Sequence, residues 1–492
     1  MTTGLANRHR RPLTRGLAGL AVIVLGIGSI LLTAMTEGTL AIGTPSRAAP
    51  PSSAPPSVAA SPTSAIASAT PVPPVETASP TMIPVTPSPS PTGPPEPTVT
   101  EYRVAPGSEP SLAADPFDPG VVAVLSQNIF ASGPTSGCNR PSVRISRDGG
   151  ATWGAPAYPW AGQCQDIHAV IAWGPGSRLW AGDAVGVPGG VAMAVTYSDD
   201  FGKTWRGRFV QNFTKPWSGC FPSITVDDWP GSPNFGTVYV TYNWLPNSLG
   251  PAVEVMATRN GSAWVATAVH LAAPPPGYPY SWRIGYRVEA APDGTAVVSF
   301  YQSNLKSWNE DSMLSEGSPS NIGRMGFETA LIHFDGKHLS ADPPAWAISV
   351  DRTSSQWQSG LAVDDSGQAW MAVETGGGIS VGPIGGSWQK LSVPGKSSFK
   401  PSLAMGGGII FVGWHAEDPN GRVWTYYTLS YDGGLTFLPP ALVTAATWYP
   451  SSAPQVNGVG LRENADFADG VFYYAYGDAR SGTAVYMAQV RP

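Results

Sequence analysis

Ser146-Arg-Asp-Gly-Gly-Ala-Thr-Trp153, Ser198-Asp-Asp-Phe-Gly-Lys-Thr-Trp205 and Ser430-Tyr-Asp-Gly-Gly-Leu-Thr-Phe437 are three copies of one phrase, S-x-D-x-G-x-T-W/F. Each copy follows a β-prone stretch (Ser142 to Ile145, Val191 to Tyr197, Val423 to Leu429), so the phrase reads as a hairpin turn. Its chemistry suits one. The Ser and Asp side chains bond turn amides, the Gly takes positive φ without a Cβ clash, and the closing aromatic packs back on the neighbouring strand. Three copies in one chain point to a repeat architecture.

Working outward, the chain from about Tyr102 keeps returning to one theme: a strand of small and branched residues, an Asp or Gly turn, then an aromatic-rich strand. The opening strands read Ser111-Leu-Ala-Ala-Asp115, Asp166-Ile-His-Ala-Val170, Ser223-Ile-Thr-Val-Asp227, Arg287-Val-Glu-Ala-Ala291, Gly360-Leu-Ala-Val-Asp364, Ser402-Leu-Ala-Met405 and Asn464-Ala-Asp-Phe-Ala468, which makes seven units. Weaker versions of the turn phrase stand at Asn260-Gly-Ser-Ala-Trp264, Asp335-Gly336 and Gly385-Gly-Ser-Trp388. The last unit stops at a strand, Val485 to Val490, while Thr98 to Val104 is strand-like with nothing of its own to pair with. Together they complete one blade and remove the ring's open edges. The expectation is an all-β, seven-bladed β-propeller over residues 99–492. A six-bladed ring is the alternative, because the fourth unit carries a long Ser303 to Arg324 insertion.

The repeated phrase resembles the Asp-box, or BNR repeat, of sialidase-like β-propellers, where it marks the turn between the third and fourth strands of a blade. That resemblance implies a structural role for Ser146, Asp148, Gly150 and Trp153, for Ser198, Asp200, Gly202 and Trp205, and for Ser430, Asp432, Gly434 and Phe437. It covers residues 100 to 492 and speaks to fold more than to chemistry. Sialidases themselves have six blades, which keeps that count open. Tyr476-Gly-Asp-Ala-Arg-Ser-Gly482 looks like a stretch near the end of many BNR-repeat proteins, with Asp478 and Arg480 read as a turn pair.

Ahead of the propeller lie three different compositions. Residues 1–15 carry Arg8, Arg10, Arg11 and Arg15; residues 16–36 are uncharged and mostly apolar, long enough at ~1.5 Å per residue to cross a ~30 Å hydrocarbon core. The basic flank places the N-terminus in the cytoplasm and the propeller outside, giving a single-pass cell-membrane protein. Secretion after signal cleavage is the alternative. Residues 37–98 hold 17 of the 51 prolines among Ser, Thr and Ala, the composition of a disordered, extended tether.

Charged residues are only 13% of the chain, and the net charge of −6 does not suit nucleic-acid binding. The three cysteines allow one disulfide, with Cys138 and Cys164 the preferred pair because their loops share one rim. No zinc or EF-hand spacing is present, so neither a metal nor a cofactor is expected.

Propellers hold ligands at the mouth of the central channel, expected here on the rim where the first strands begin. That rim offers Arg283, Arg287, Trp357, Lys400 and Arg462 as ligand contacts, with Asp166, His168, Gln358, Glu463 and Asp466 beside them. Function reads first as binding an extracellular glycan, polymer or protein; as alternatives, an exo-sialidase-type glycoside hydrolase and an assembly scaffold. For the hydrolase, the resemblance implies arginines on a carboxylate, a tyrosine nucleophile activated by a glutamate and an aspartate acid/base. Tyr286, Glu289 and Asp166 are the matching candidates. The early arginine signature is present only as Tyr102-Arg-Val-Ala-Pro106, with an extra residue.

Overall fold

The structure, a computed structural model, describes residues 96–127, 140–161, 168–188, 190–213, 221–244, 252–269, 282–303, 324–351, 358–449 and 463–492. The basic tail, the apolar run, nearly all of the Pro-rich tether, and Cys138, Cys164 and Cys220 lie outside these residues. No helix among the described residues is long and apolar enough to cross a membrane.

Seven antiparallel sheets form the described residues. Their innermost strands are Ser108–Ala114, Val170–Gly174, Ser223–Val226, Trp282–Ala290, Gly360–Val363, Ser397–Gly406 and Asn464–Ala468, which we number as blades 1 to 7. Each inner strand packs on that of the next blade, and the seventh packs on the first, so the sheets close into a ring. Two of the second strands, Val122–Gln127 and Val471–Asp478, are buried along their whole length. A strand covered on both faces loses the two-residue alternation, which is why these segments read as nearly continuous apolar runs.

Closure follows the sequence expectation. Thr98–Pro106 pairs with Ala484–Arg491, from Thr98 opposite Arg491 to Pro106 opposite Ala484, and becomes the outer strand of blade 7. The count is seven, and the six-bladed alternative is excluded. Blade 4, the irregular unit, keeps its place: its third strand, Arg324–Phe334, pairs with both Leu339–Ala341 and Ala345–Asp351.

The three phrase turns share one hydrogen-bond pattern, each at the end of a third strand. Ser146 Oγ donates to Asp148 Oδ1 at 2.7 Å and accepts from Gly150 N at 2.6 Å; Asp148 accepts from Thr152 N at 2.8 Å and Thr152 Oγ1 at 2.6 Å. Ser198, Asp200, Gly202 and Thr204 repeat the arrangement, as do Ser430, Asp432, Gly434 and Thr436. These bonds satisfy amides that the turn would otherwise leave without partners. Glycine is required for two reasons at Gly434: its φ is +81°, and a Cβ would stand 2.5 Å from Trp370 of the preceding blade.

Candidate functional site

The inner strands start at one rim of the ring, here called upper, and finish at the other, called lower. Polar side chains on these strands stitch neighbouring blades along the axis. Asn464 accepts from Leu112 N at 2.7 Å and donates to Leu112 O at 2.6 Å, Ser111 Oγ accepts from Ile171 N at 3.1 Å, and Ser223 Oγ accepts from Val288 N at 3.2 Å.

A cavity of about 470 Å³ fills the lower half of the channel and touches all seven inner strands. Four carboxylates line it, Asp228 just past the inner strand of blade 3, Glu289 on blade 4, Asp365 just past the inner strand of blade 5 and Asp466 on blade 7. Phe117, Trp229 and Phe467 supply ring faces. Trp229 is fixed by its Nε1, which donates to Ala290 O at 2.9 Å. Phe117 meets Phe235 edge to face with centroids 6.0 Å apart, and both rings remain exposed at 42% and 43%.

Withdrawal from water, then mutual repulsion, sets the charge state of Asp228, Glu289 and Asp466. Burial, with Asp466 next, pushes Asp228 up to about 7. Burial and then Asp466 push Glu289 up to about 8 against the pull of Arg287. Burial also raises Asp466 to about 6, although the Ala114 and Phe467 amides favour its ionised form. The neighbouring turn acids have a structural task. Asp227 accepts from Ser232 Oγ at 2.6 Å, and Asp364 from Ser366 Oγ at 2.6 Å, so each staples its own turn and leaves the next residue, Asp228 or Asp365, to line the cavity.

The upper half of the channel is crossed by hydrogen bonds. Arg287 of blade 4 donates from Nε to Ser359 O at 3.1 Å and from Nη2 to Glu463 O at 3.2 Å. Gln358 donates to Glu463 O and to Pro401 O, and accepts from Glu463 N at 2.7 Å. Behind this tie the Glu463 side chain is fully buried, holding His415 Nε2 at 2.7 Å and accepting from the Tyr474 hydroxyl at 2.9 Å; Thr425 Oγ1 lies 3.1 Å from His415 Nδ1.

Of the residues expected at the site, Arg287 and Glu289 face the channel together, Arg287 at its neck and Glu289 at the junction with the cavity. Lys400 is buried, and so is His168, which stacks on Phe221 at 3.9 Å. Asp166, Trp357 and Arg462 lie outside the described residues, as do the side chains of Arg283 and Tyr286. Ligand contacts were expected at the upper rim; the large cavity among the described residues lies at the lower one, and the Arg287 and Gln358 ties cross the upper half. Asp228, Trp229 and Phe117, which line the cavity, were not among the expected residues. The doubled acid in Asp227-Asp228-Trp229 was the available signal, since one acid suffices to staple a turn.

No protein-family model matches the chain, and no curated protein matches it. Solved structures that resemble it include the GH93 α-L-arabinofuranosidase of Fusarium graminearum with arabinobiose, at 13% identity over 65% of this chain and 93% of that one, TM-score 0.44. Others are a Dyadobacter fermentans protein of unknown function, at 10% identity over 80% and 99%, TM-score 0.41, and a Hadza microbial sialidase, at 14% over 71% and 72%, TM-score 0.40. Likeness at these identities and scores carries no argument about activity.

Proposed function

We propose that this chain is a membrane-tethered propeller outside the cell that holds a glycan in the lower half of its channel. The cavity carries the reading: about 470 Å³ of space lined by hydrogen-bond acceptors on Asp228, Glu289 and Asp466 and by the rings of Phe117, Trp229 and Phe467. Carboxylates accept from sugar hydroxyls, and aromatic faces take the apolar faces of sugar rings. The membrane part rests on sequence alone, on the arginines before residue 16, the uncharged run 16–36 and the proline-rich stretch to residue 98. The three phrase turns are read as Asp boxes, structural staples remote from the ligand.

A sialoside fits poorly among the described residues. Its carboxylate would face four others, and the one arginine that lines the channel among the described residues donates to the carbonyls of Ser359 and Glu463. The ligand is therefore a neutral or amine-bearing glycan. A second reading, a glycoside hydrolase, is favoured by one observation: Asp228, Glu289 and Asp466 differ in proton affinity, as acid and base partners in glycoside cleavage must.

Full-length protein applied to a glycan array tests the proposal, with bound neutral or amino glycans expected and only sialylated or uronic glycans bound as the contradicting result. Release of new reducing ends from a bound glycan would select the hydrolase. Carbonate extraction of cells tests the anchor: the chain should stay with the membrane, and soluble full-domain protein in the medium would replace it with a cleaved signal peptide.

A further inference from the structure

The upper half of the channel has a feature that glycan binding alone does not require. Above the cavity lies a neck of about 70 Å³, which shares Ile171, Ile224, Glu289, Leu361 and Leu403 with it. Beyond the neck, Arg287 and Gln358 join blades 4, 5, 6 and 7 across the axis through the main chain of Ser359, Pro401 and Glu463. Glu109, His168, Lys400 and Glu463, at or beside the starts of inner strands, are all buried. A chain that comes in from the lower rim cannot thread through.

One buried group in the neck lacks what it needs. Ser359 is 1% exposed, and among the described residues its Oγ has no hydrogen-bond partner, although its carbonyl is taken by Arg287. A hydroxyl shut away from water without a partner is destabilising unless something else completes it. The neck is roomy enough for a few waters or for one hydroxyl-bearing substituent of a sugar. Glu289 borders both spaces and stands where a terminal sugar in the cavity would send such a substituent upward.

We propose that the channel is a one-ended site that reads the terminus of a glycan chain inserted from the lower rim, with Ser359 and Glu289 contacting the terminal sugar. This rests on the glycan reading above and adds the direction of insertion, the mode of recognition and the residues that carry it. An internal stretch of polymer has no path past the Arg287 and Gln358 ties, so the number of binding sites on a polymer equals the number of its accessible ends.

The test is calorimetric titration of the full-length chain in detergent micelles with linear glucose, xylose, mannose, arabinose, glucosamine and N-acetylglucosamine oligosaccharides, from disaccharide to hexasaccharide, and with the parent polymers. Affinity should level off by the trisaccharide, and each polymer should bind one copy per chain end. Ser359→Ala should weaken binding about tenfold, the equivalent of one lost hydrogen bond, while the unliganded melting temperature stays level or rises. A purely structural serine would do the reverse. Affinity that climbs steadily to the hexasaccharide, many copies per polymer, or unchanged affinity in Ser359→Ala would overturn end recognition and leave glycan binding standing. Silence across the whole set would remove glycan binding itself, and end recognition with it.

Discussion

Arg480 grips Glu101 with both terminal nitrogens, Nη1 to Oε2 at 2.9 Å and Nη2 to Oε1 at 2.6 Å, and so ties the first strand of the propeller to the last turn of its chain. The same guanidinium lies 2.8 Å from Asp478 Oδ2 through Nε, lies over the Tyr486 ring at 4.0 Å, and donates from Nη1 to Thr444 Oγ1 at 3.2 Å. The Tyr476 hydroxyl also donates to Glu101. Closure by a strand from the other end of the sequence thus has a polar clasp beside its backbone ladder.

Arg480→Ala should lower the unfolding free energy by about 2–4 kcal/mol, since it strands two carboxylates in a largely buried setting. Chemical denaturation measures this, and a Glu101→Gln, Arg480→Ala double-mutant cycle isolates the pair. Additive effects would show that the clasp contributes nothing to closure.

Between blades 6 and 7, His415 and Glu463 are both fully buried and in contact. His415→Phe removes the imidazole from the buried Glu463 carboxylate and should cost about 3–5 kcal/mol, whereas Tyr474→Phe, which removes one hydrogen bond, should cost about 1–2 kcal/mol. If His415→Phe proves the milder of the two, the imidazole contact is not what holds the Glu463 side chain in place.

Acid should loosen the phrase turns. Hydrogen bonds from Thr152 and Ser146 hold Asp148 down to about 2, and those from Thr204 and Ser198 do the same for Asp200. A carboxyl whose folded value lies below its unfolded one stabilises the fold above pH ~4 and loses that contribution as pH falls towards 2. Asp148→Asn should therefore flatten the acid limb of a melting-temperature profile below pH 4 and leave its shape above pH 5 unchanged. A parallel downward shift at every pH would assign the aspartate a role independent of its charge.

The channel carboxylates have the opposite sign. Asp228, Glu289 and Asp466 are raised to about 7, 8 and 6, so the folded state binds protons more tightly than the unfolded one. Their contribution is fully present below pH ~4 and is lost as pH rises through 6 to 8. Glu289→Gln should match the wild type near pH 4 and melt higher than it near pH 8.5. The three sites titrate as a coupled set, so the profile should be broad. Equal pH dependence in variant and wild type would place Glu289 in contact with solvent.

Much of the fold was legible because the turn phrase is local chemistry: Ser146, Asp148, Gly150 and Thr152 make their bonds within one turn, so the signal survives without tertiary context. Ring closure was legible for a complementary reason, as Thr98 to Val104 and Val485 to Val490 each lacked a partner. The site was harder to read. Asp478 and Arg480 announce their pairing by proximity in sequence, but Glu101 stands at the other end of the propeller, and nothing local marks it. His415 and Glu463 come from different blades and meet only once the ring forms. The choice of rim depended on side chains reaching across the axis, Arg287 to Glu463 above all, and no periodicity encodes that contact.

The proposed function rests on where a sugar sits. The most direct measurement is an experimental structure of the full-length chain with the tightest-binding oligosaccharide from the calorimetric set. The terminal sugar should lie in the lower cavity between Trp229, Glu289 and Asp466, with a substituent directed at Ser359. A sugar bound over the upper rim, with the lower cavity holding only water, would contradict it.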